Sequence, residues 1–485
     1  MLRLLQFVKK SFAPINRIPP EVLSLIPDHH IEDDTDKTLI ALTHVCRYWR
    51  NIFISRPSLW TRLDFKNIDK TRTYIQRSQS FPLKLILGYY EVSDDVFGPM
   101  VPHVHRLKSL TIDTKRLPRV LQHFRCPTPL LEKLNIRIDV PYGVTLDGTL
   151  FNGDLSSLHE LHLGGVITDL PWKNLANLRV VHLEYSSRSY RMTQILDFFE
   201  SAPLLHTVSL GYPMPSSSDA PPGRIVPLRH LKVFSINTNP PHSILLHHLR
   251  IPLGASLISQ FHYREVESPL LDYLPKITPN FNNLSHITTV NLLFGQGRGY
   301  VLLSGPSGSL RMLVGWGGWG IHTLDERPRR ILHSLGHPAL STVQRLKILE
   351  YSHPKPAEGG ECPIFQALSS LNNLRTLVVI NCNNRPFTCA LDPGQNPSNL
   401  PLCSKMEELV FYIKFWYPID IQLLIRMAKN RASRGAKLPS ITFVDRSGCG
   451  LREEALKLRE HVTHVEYRVD GTPPAWDDFP GGDSG

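Results

Sequence analysis

Residues 131–136 read LEKLNI and residues 158–163 read LHELHL, so the pattern L-x-x-L-x-L returns after 27 residues. Its fourth and sixth positions would point to one side of a short β-strand. With other apolar residues allowed, the pattern starts at Leu107, Leu131, Leu158, Leu178, Leu205, Leu231, Ile287, Val343, Leu374, Met406 and Leu438. The starts are 20–27 residues apart as far as Leu231 and 31 or 32 apart from Val343 onward. This regular return predicts stacked repeats, each contributing one strand.

Helical segments are predicted between these strands. Examples are MTQILDFFESAPLL at 192–205, PIFQALSSLNNL at 363–374 and DIQLLIRMAKNR at 420–431, of which the first places Ile195, Leu196, Phe198 and Phe199 on one apolar face. A strand, a turn and a returning helix in each unit would make a leucine-rich-repeat-like solenoid. The glycine-rich stretch 295–320 is either an irregular repeat or an insertion.

The composition is that of a folded chain with a mildly basic surface. Hydrophobic residues make up 41% of the 485 residues and charged residues 20%, which are ordinary values. The net charge is +11, but the basic residues are spread along the chain without a run of five or more. This distribution favours a basic surface over a nucleic-acid interface, so we expect no nucleic-acid partner.

The cysteines indicate a reducing compartment. There are seven of them, an odd number, and none form a C-x-x-C pair. Both observations argue against a disulfide scaffold and against a zinc site. We therefore expect the protein in the cytoplasm, in the nucleus or in both.

The first residues predict a flexible basic arm over 1–13. The apolar stretch in MLRLLQFVKKSF is interrupted by Lys9 and Lys10 too early for a signal peptide, and a mitochondrial presequence is the weaker alternative. No run of apolar residues approaches the 18 that a membrane span requires, so we expect no membrane partner.

The stretch 14–60 predicts a small helical module. Pro19 and Pro20 open a short helix that Pro27 ends. After an acidic loop, a long amphipathic helix is predicted, with one continuous apolar stripe formed by Leu39, Leu42, Val45, Cys46, Trp49, Ile52 and Phe53. A third short element contains Leu59 and Trp60. This module has more apolar surface than so few residues can bury.

Three motifs in this module resemble an F-box. They are the Ile18-Pro19 start, the VCRYW phrase at 45–49 and the closing Ser58-Leu59-Trp60. The wider stretch 14–65 is similar to F-box-like modules abundant in mushroom-forming fungi, and so is its continuation over 70–85. The resemblance implies a substrate receptor of an SCF-type (cullin-RING) ubiquitin ligase, which binds a Skp-type adaptor, through it a cullin, and an unknown protein substrate.

The resemblance also implies which residues contact the adaptor. They are Ile18, Pro19, Glu21, Val22, Ile26, Leu42, Val45, Cys46, Trp49, Leu59 and Trp60. Trp49 and Trp60 are either adaptor-facing anchors or part of the module's own core. Cys46 is predicted to be a buried structural cysteine and not a reactive one.

The expected fold class is α/β, with a three-helix F-box followed by an irregular leucine-rich-repeat-like solenoid of short parallel strands and helices. The predicted segments are the arm at 1–13, the F-box-like module at 14–65, a linker or capping segment at 66–100, the solenoid at 101–465 and a disordered tail at 466–485.

Other candidate sites are weak. His29 and His30 in an acidic loop could hold a metal ion, but a solvated loop is expected, and His159 and His162 should lie on opposite faces of a strand. The stretch GPSGSL at 305–310 lacks the lysine of a phosphate loop, and ERPRR at 326–330 is either a basic loop or a nuclear-localisation fragment.

Because no catalytic constellation stands out, we expect no catalytic residue, no cofactor and no bound metal. An interaction protein, not an enzyme, is therefore the first hypothesis. The alternatives are a non-ligase scaffold with a degenerate F-box and a hydrolase-type enzyme on the solenoid.

Overall fold

The structure is a computed structural model. It describes residues 18–23, 35–88, 97–113, 117–138, 144–146, 150–168, 174–184, 190–211, 219–237, 243–262, 285–295, 298–315, 331–349, 363–395, 400–413, 419–445 and 450–469. The chain divides into two compact units, residues 1–188 and residues 189–485.

The first unit begins with short helices. They are α1 (Pro20–Leu23), α2 (Thr35–Val45), α3 (Arg47–Ile54), α4 (Ile68–Arg77) and α5 (Leu117–Leu121), with a 3-10 turn at Pro57–Trp60. Asn67 caps α4, because its side-chain oxygen accepts hydrogen bonds from the backbone N–H groups of Asp69 (2.9 Å) and Lys70 (3.0 Å).

A parallel sheet forms the rest of the first unit. Its strands are β1 (Arg62–Leu63), β2 (Leu83–Leu87), β3 (Leu107–Asp113), β4 (Lys133–Arg137), β5 (Val144–Leu146), β6 (Glu160–Gly164), β7 (Val166–Thr168) and β8 (Val180–Glu184). The sheet order is β1-β2-β3-β4-β6-β8, and β5 pairs separately with β7. A row of buried side chains crosses the sheet in register: Leu85, Leu110, Leu134, Leu161 and Val181.

The opposite side of this sheet carries exposed and half-buried side chains, most of them polar. We call it the polar face. It consists of Arg62, Lys84, Ile86, Ser109, Thr111, Asp113, Lys133, Asn135, Arg137, Glu160, His162, Gly164, Val180, His182 and Glu184. The first unit therefore buries one side of its sheet and leaves the other open to solvent.

The second unit contains a longer sheet. Its strands are β9 (Thr207–Leu210), β10 (Val226–Pro227), β11 (Val233–Asn237), β12 (Leu249–Arg250), β13 (Ser256–His262), β14 (Thr289–Gly295), β15 (Arg298–Gly305), β16 (Gly308–Gly315), β17 (Arg345–Leu349), β18 (Thr376–Ile380), β19 (Glu408–Ile413), β20 (Ser440–Asp445) and β21 (His464–Val469). The order is β9-β11-β13-β16-β15-β14-β17-β18-β19-β20-β21, while β10 pairs with β12. All neighbours are parallel except the two pairs that involve β15.

Each of the eleven predicted L-x-x-L-x-L phrases coincides with a strand in the first or the second unit. The fourth and sixth positions of each phrase are buried, for example Leu377 and Val379 in β18. Among the described residues, the eleven phrases do not include β1, β2, β5, β7, β10, β12, β13, β15, β16 and β21. Of these, β2, β13, β15 and β16 lack the leading apolar residue of the phrase.

The described part of the glycine-rich stretch is an inserted β-hairpin. β14 carries the repeat phrase, and the added strands β15 and β16 extend the sheet towards β13. Pro306 and Ser307 form the turn between them. A side chain at Gly305 would bring its Cβ within 2.0 Å of the carbonyl oxygen of His286, so only glycine fits. Because a strand follows this turn and a phosphate loop leads into a helix, GPSGSL does not form a phosphate loop.

Helices run between the strands of the second unit. They are α6 (Met192–Ser201), α7 (Ser243–His247), α8 (Pro363–Ser369), α9 (Arg385–Leu391), α10 (Ile421–Ser433) and α11 (Arg452–Leu456). The three predicted helical segments correspond to α6, α8 and α10. Their apolar faces are buried, as Ile195, Leu196, Phe198 and Phe199 are in α6.

The second unit also buries apolar side chains on the outer side of its sheet. Leu293, Leu349, Val378, Ile380 and Val410 form a cluster in which each is 4–8% exposed, and Tyr300, Leu302 and Tyr412 pack against it. We call these eight residues the outer apolar cluster. Both sides of this part of the sheet are therefore buried.

Three predicted boundaries differ from the structure. The segment 66–100, predicted as a linker or a capping segment, contains α4 and β2, and the sheet starts at β1, before the predicted solenoid start at 101. β21 continues to Val469, so the predicted tail boundary at 466 falls inside a strand. The arm at 1–13 and residues 470–485 lie outside the described residues.

Candidate functional site

The long amphipathic helix predicted over 39–53 is two helices, so the prediction of one continuous stripe was wrong. α2 ends at Val45 and α3 begins at Arg47, because Cys46 between them is extended (φ −159°, ψ 173°). Nε of Arg50 donates a hydrogen bond to the carbonyl oxygen of Thr43 at 2.9 Å. This contact satisfies a carbonyl in the last turn of α2 and holds the two helices together.

Trp60 lies in the module's own core. It is 1% exposed, and its Nε1 donates a hydrogen bond to the carbonyl oxygen of Phe53 at 2.9 Å. The ring of Tyr74 meets it edge-on at 4.9 Å, and the guanidinium of Arg77 lies 4.3 Å from its ring centroid. Trp60 thus joins α3 to α4, which explains why the module needs chain beyond residue 66.

Trp49 is also buried. It is 6% exposed and its ring packs edge-on against Phe53, with the ring centroids 5.8 Å apart. Within the described part of the chain its Nε1 has no hydrogen-bond partner. Of the two alternatives for Trp49 and Trp60, the structure supports the core.

Four large apolar side chains on the same helices remain exposed. They are Val22 (51% exposed) on α1, Ile40 (40%) and Val45 (56%) on α2, and Tyr48 (38%) on α3. We call these four residues the N-terminal apolar surface. Val45 and Tyr48 flank the break at Cys46, so the change of direction between the helices presents both of them.

The eleven predicted contact residues fall into four groups. Those exposed are Pro19, Glu21, Val22 and Val45. Those partly buried are Ile18, Leu42, Cys46 and Leu59. Those buried are Trp49 and Trp60. Ile26 lies outside the described residues.

Two residues of the N-terminal apolar surface were not predicted, namely Ile40 and Tyr48. The signal for Ile40 was its position beside the stripe that contains Leu39, since an apolar residue off the buried face of a helix is exposed. Predicting that Tyr48 is exposed would have required knowledge of the break at Cys46, which the helical periodicity does not give.

An ion pair lies where the module joins the sheet. Nζ of Lys70 on α4 is 2.8 Å from the carboxylate of Asp64, which directly follows β1. Burial raises the pKa of Asp64, but the hydrogen bond and the charge of Lys70 outweigh burial and lower that pKa below its usual value. The folded state therefore favours the ionised carboxylate.

The histidines of LHELHL, His159 and His162, are not placed to hold one metal ion together. His162 points to the polar face, where its ring stacks on that of His182 at 4.2 Å, and His159 precedes the strand. Burial lowers the pKa of both stacked rings, and the neighbouring His182 lowers that of His162 further. His182 was not singled out by sequence, because its partner lies on another repeat.

The other sequence candidates carry no site in the described residues. Among them, no three His, Cys, Asp or Glu side chains are placed to hold a metal ion. Cys46, Cys126, Cys382, Cys389 and Cys403, which lie within the described residues, form no disulfide with one another. The His29–His30 loop and the ERPRR stretch lie outside the described residues.

Comparison with known proteins agrees with the location of this surface. Residues 15–66 match the family model described as F-box-like. No curated protein matches the chain. Across the described residues, none of the helices combines the length and the apolar character needed to cross a bilayer. F-box-like domains are typically adaptor or interaction modules, and they support a substrate-receptor role in SCF-type ligases in general.

Proposed function

We propose that the protein is a substrate receptor of an SCF-type ubiquitin ligase, with its F-box-like helices binding a Skp-type adaptor and its repeat region binding a substrate protein. The observation that carries the proposal is the N-terminal apolar surface, which lies within the stretch that matches the F-box-like family model. Four large apolar side chains exposed on one small helical module favour a site for another protein.

The surface is suited to a partner because its support is rigid. Trp49, Phe53 and Trp60 are buried beneath the helices and fix their positions. Val22, Ile40, Val45 and Tyr48 are each about half exposed, and covering them would contribute about 1 kcal/mol apiece. Partly exposed Ile18, Leu42 and Leu59 would extend the contact.

The repeat region supports the receptor half of the proposal. Its strands follow the L-x-x-L-x-L phrase, and Cys382 occupies the position where leucine-rich repeats carry Asn or Cys. Its thiol lies 3.0 Å from the carbonyl oxygen of Ile380 and 3.8 Å from that of Ile348 on the preceding repeat strand. Such bonds between repeats hold a regular stack, as expected of a leucine-rich-repeat-like solenoid.

In this proposal the protein contributes proximity and no catalytic residue. Holding a substrate lysine near a charged conjugating enzyme raises the effective concentration of the two reactants. The adaptor links the receptor to a cullin, and the complex acts in the cytoplasm or the nucleus, where cysteine thiols stay reduced.

The test is capture of a recombinant Skp-type adaptor by the full chain. Ile40→Glu with Val45→Glu should weaken binding at least 100-fold, because each places a charge in the apolar contact. The matched control is Leu253→Glu, a residue 60% exposed in the second unit, which should bind as the wild type does.

Either of two results would refute the adaptor assignment. One is adaptor capture by the double variant at wild-type affinity, and the other is equal loss in the Leu253 control. Trp49 is unsuitable for this test, since a charge at a buried position would unfold the module.

The runner-up is a non-ligase scaffold with a degenerate F-box. The burial of Trp49 and Trp60 favours it, because two of the eleven predicted contact residues cannot touch an adaptor without rearrangement. A pure scaffold would show no measurable affinity for any Skp-type adaptor while the chain remains folded.

A further inference from the structure

The first unit's sheet and the part of the second unit's sheet that carries the outer apolar cluster differ in whether a surface is open to a partner. In the second unit the outer apolar cluster is buried, and the neighbouring Lys347 and Thr442 on the same side are each only 7% exposed. In the first unit, Lys84, Lys133 and Arg137 on the polar face are exposed. Of these two sheet surfaces, the polar face is the one available for binding.

Basic and acidic side chains lie on different parts of the polar face. The strands β1 to β4 contribute four basic side chains, Arg62, Lys84, Lys133 and Arg137, and one acidic side chain, Asp113. The strands β6 and β8 contribute Glu160 and Glu184 beside the stacked pair His162 and His182. One half of the face is therefore basic.

The basic half is held in place by the register of the strands. Lys84, Ser109 and Lys133 are paired in one row across β2, β3 and β4, so Lys84 and Lys133 are about 10 Å apart along the row. Lys133 is also bonded to Glu160 at 2.8 Å. Arg137 lies on the same strand about 13 Å further along, and its stem packs over Gly164 of the next strand.

We propose that the basic half of the polar face binds an acidic, extended segment of the substrate protein. The inference rests on the proposed receptor function and specifies where the substrate binds and which chemistry it presents. Carboxylates crossing the strands would meet Lys84 and Arg137, whose exposed charges steer an acidic partner and select against a basic one.

A nucleic acid fits this face less well. Its phosphates would meet Asp113 as well as the basic residues, and Glu160 and Glu184 border the basic half. An extended peptide can place its acidic side chains at Lys84 and Arg137 alone. The test below includes a nucleic acid so that this alternative has an outcome of its own.

The experiment measures fluorescence anisotropy of a labelled peptide of six Glu-Val repeats with the full chain at low salt. Binding should weaken at least tenfold in the Lys84→Glu, Arg137→Glu double variant, and about threefold in the neutral pair Lys84→Gln, Arg137→Gln. The control reverses two exposed charges on the connecting helices, Arg72→Glu with Arg119→Glu, and should remain within twofold of wild type.

The proposal is overturned if six Lys-Val repeats bind as well as the Glu-Val peptide, if the helix control weakens binding as much as the face variant, or if a 12-nucleotide oligothymidine binds more tightly than the acidic peptide. Adaptor capture is measured on every variant. Adaptor capture should stay at wild-type strength in the face variants. If the wild-type chain itself captures no adaptor, the receptor function is refuted, and the peptide measurements still decide the proposal about the polar face.

Discussion

The sheet of the first unit and the strands β17 to β20 of the second unit use the same repeat phrase and differ on their second side. In the first unit the alternate positions of β4 hold Lys133, Asn135 and Arg137, and that side is open. In the second unit the corresponding positions of β18 hold Val378 and Ile380, which are 4% and 5% exposed. The phrase therefore determines only the inner side of each strand, while the intervening residues determine whether the outer side meets solvent or protein.

This difference explains how one repeat type can serve two purposes. Strands buried on both sides are nearly continuous apolar runs, such as LVVI at 377–380 and LVFYI at 409–413. Strands buried on one side alternate, such as KLNIR at 133–137. We infer that the two-sided packing of β17 to β20 in the second unit provides stability and that the one-sided packing of the first unit provides a binding surface.

The largest expected effect comes from placing the same charge on the outer side of each sheet. Ile380→Asp should destabilise the second unit by about 4 kcal/mol, because an unpaired carboxylate would enter the outer apolar cluster. Asn135→Asp is the matched change in the first unit and should alter stability by about 0.5 kcal/mol or less, since that side is solvated.

Urea unfolding followed by hydrogen-exchange mass spectrometry measures the stability of each unit separately. If Asn135→Asp lowered the free energy of unfolding as much as Ile380→Asp, or if Ile380→Asp did not lower it, there would be no distinction between an open and a covered side.

A smaller effect should be confined to the first unit and depend on pH. The pKa of Asp64 is lower in the folded state than in the unfolded state, where it is near 3.8. The ion pair with Lys70 therefore stabilises the fold at pH values above 3.8, and this stability is lost as the pH falls through the folded-state pKa. Asp64→Asn should cost about 1 kcal/mol at pH 7 and nothing at pH 2. Thermal melts of both proteins across this range check the sign, and a difference that grows on acidification would contradict it.

The fold was predictable where apolar spacing alone decides it. The eleven phrases gave strands, and the stretches 192–205, 363–374 and 420–431 each contain a helix, since each buries one periodic face. The sequence left the glycine-rich stretch open between an irregular repeat and an insertion, and it did not predict the outer apolar cluster, because both depend on which strands become neighbours.

The candidate site was predictable in location and only partly in composition. The motifs placed it within 14–65, and two of the predicted contact residues, Val22 and Val45, are exposed. The break at Cys46 depends on backbone geometry and on the Arg50 contact with Thr43, which the helical period does not encode. Buried Arg431 shows the same limit: it donates to the carbonyl oxygens of Leu402 (2.7 Å) and Cys403 (3.2 Å), which lie far from it in sequence.

The most direct test of the central claim is hydrogen exchange of the full chain with and without a recombinant Skp-type adaptor. The account predicts slower exchange confined to α1, α2 and α3, around Val22, Ile40, Val45 and Tyr48, and unchanged exchange in both sheets. Unchanged exchange throughout the chain, or protection in the sheets without protection of these helices, would contradict it.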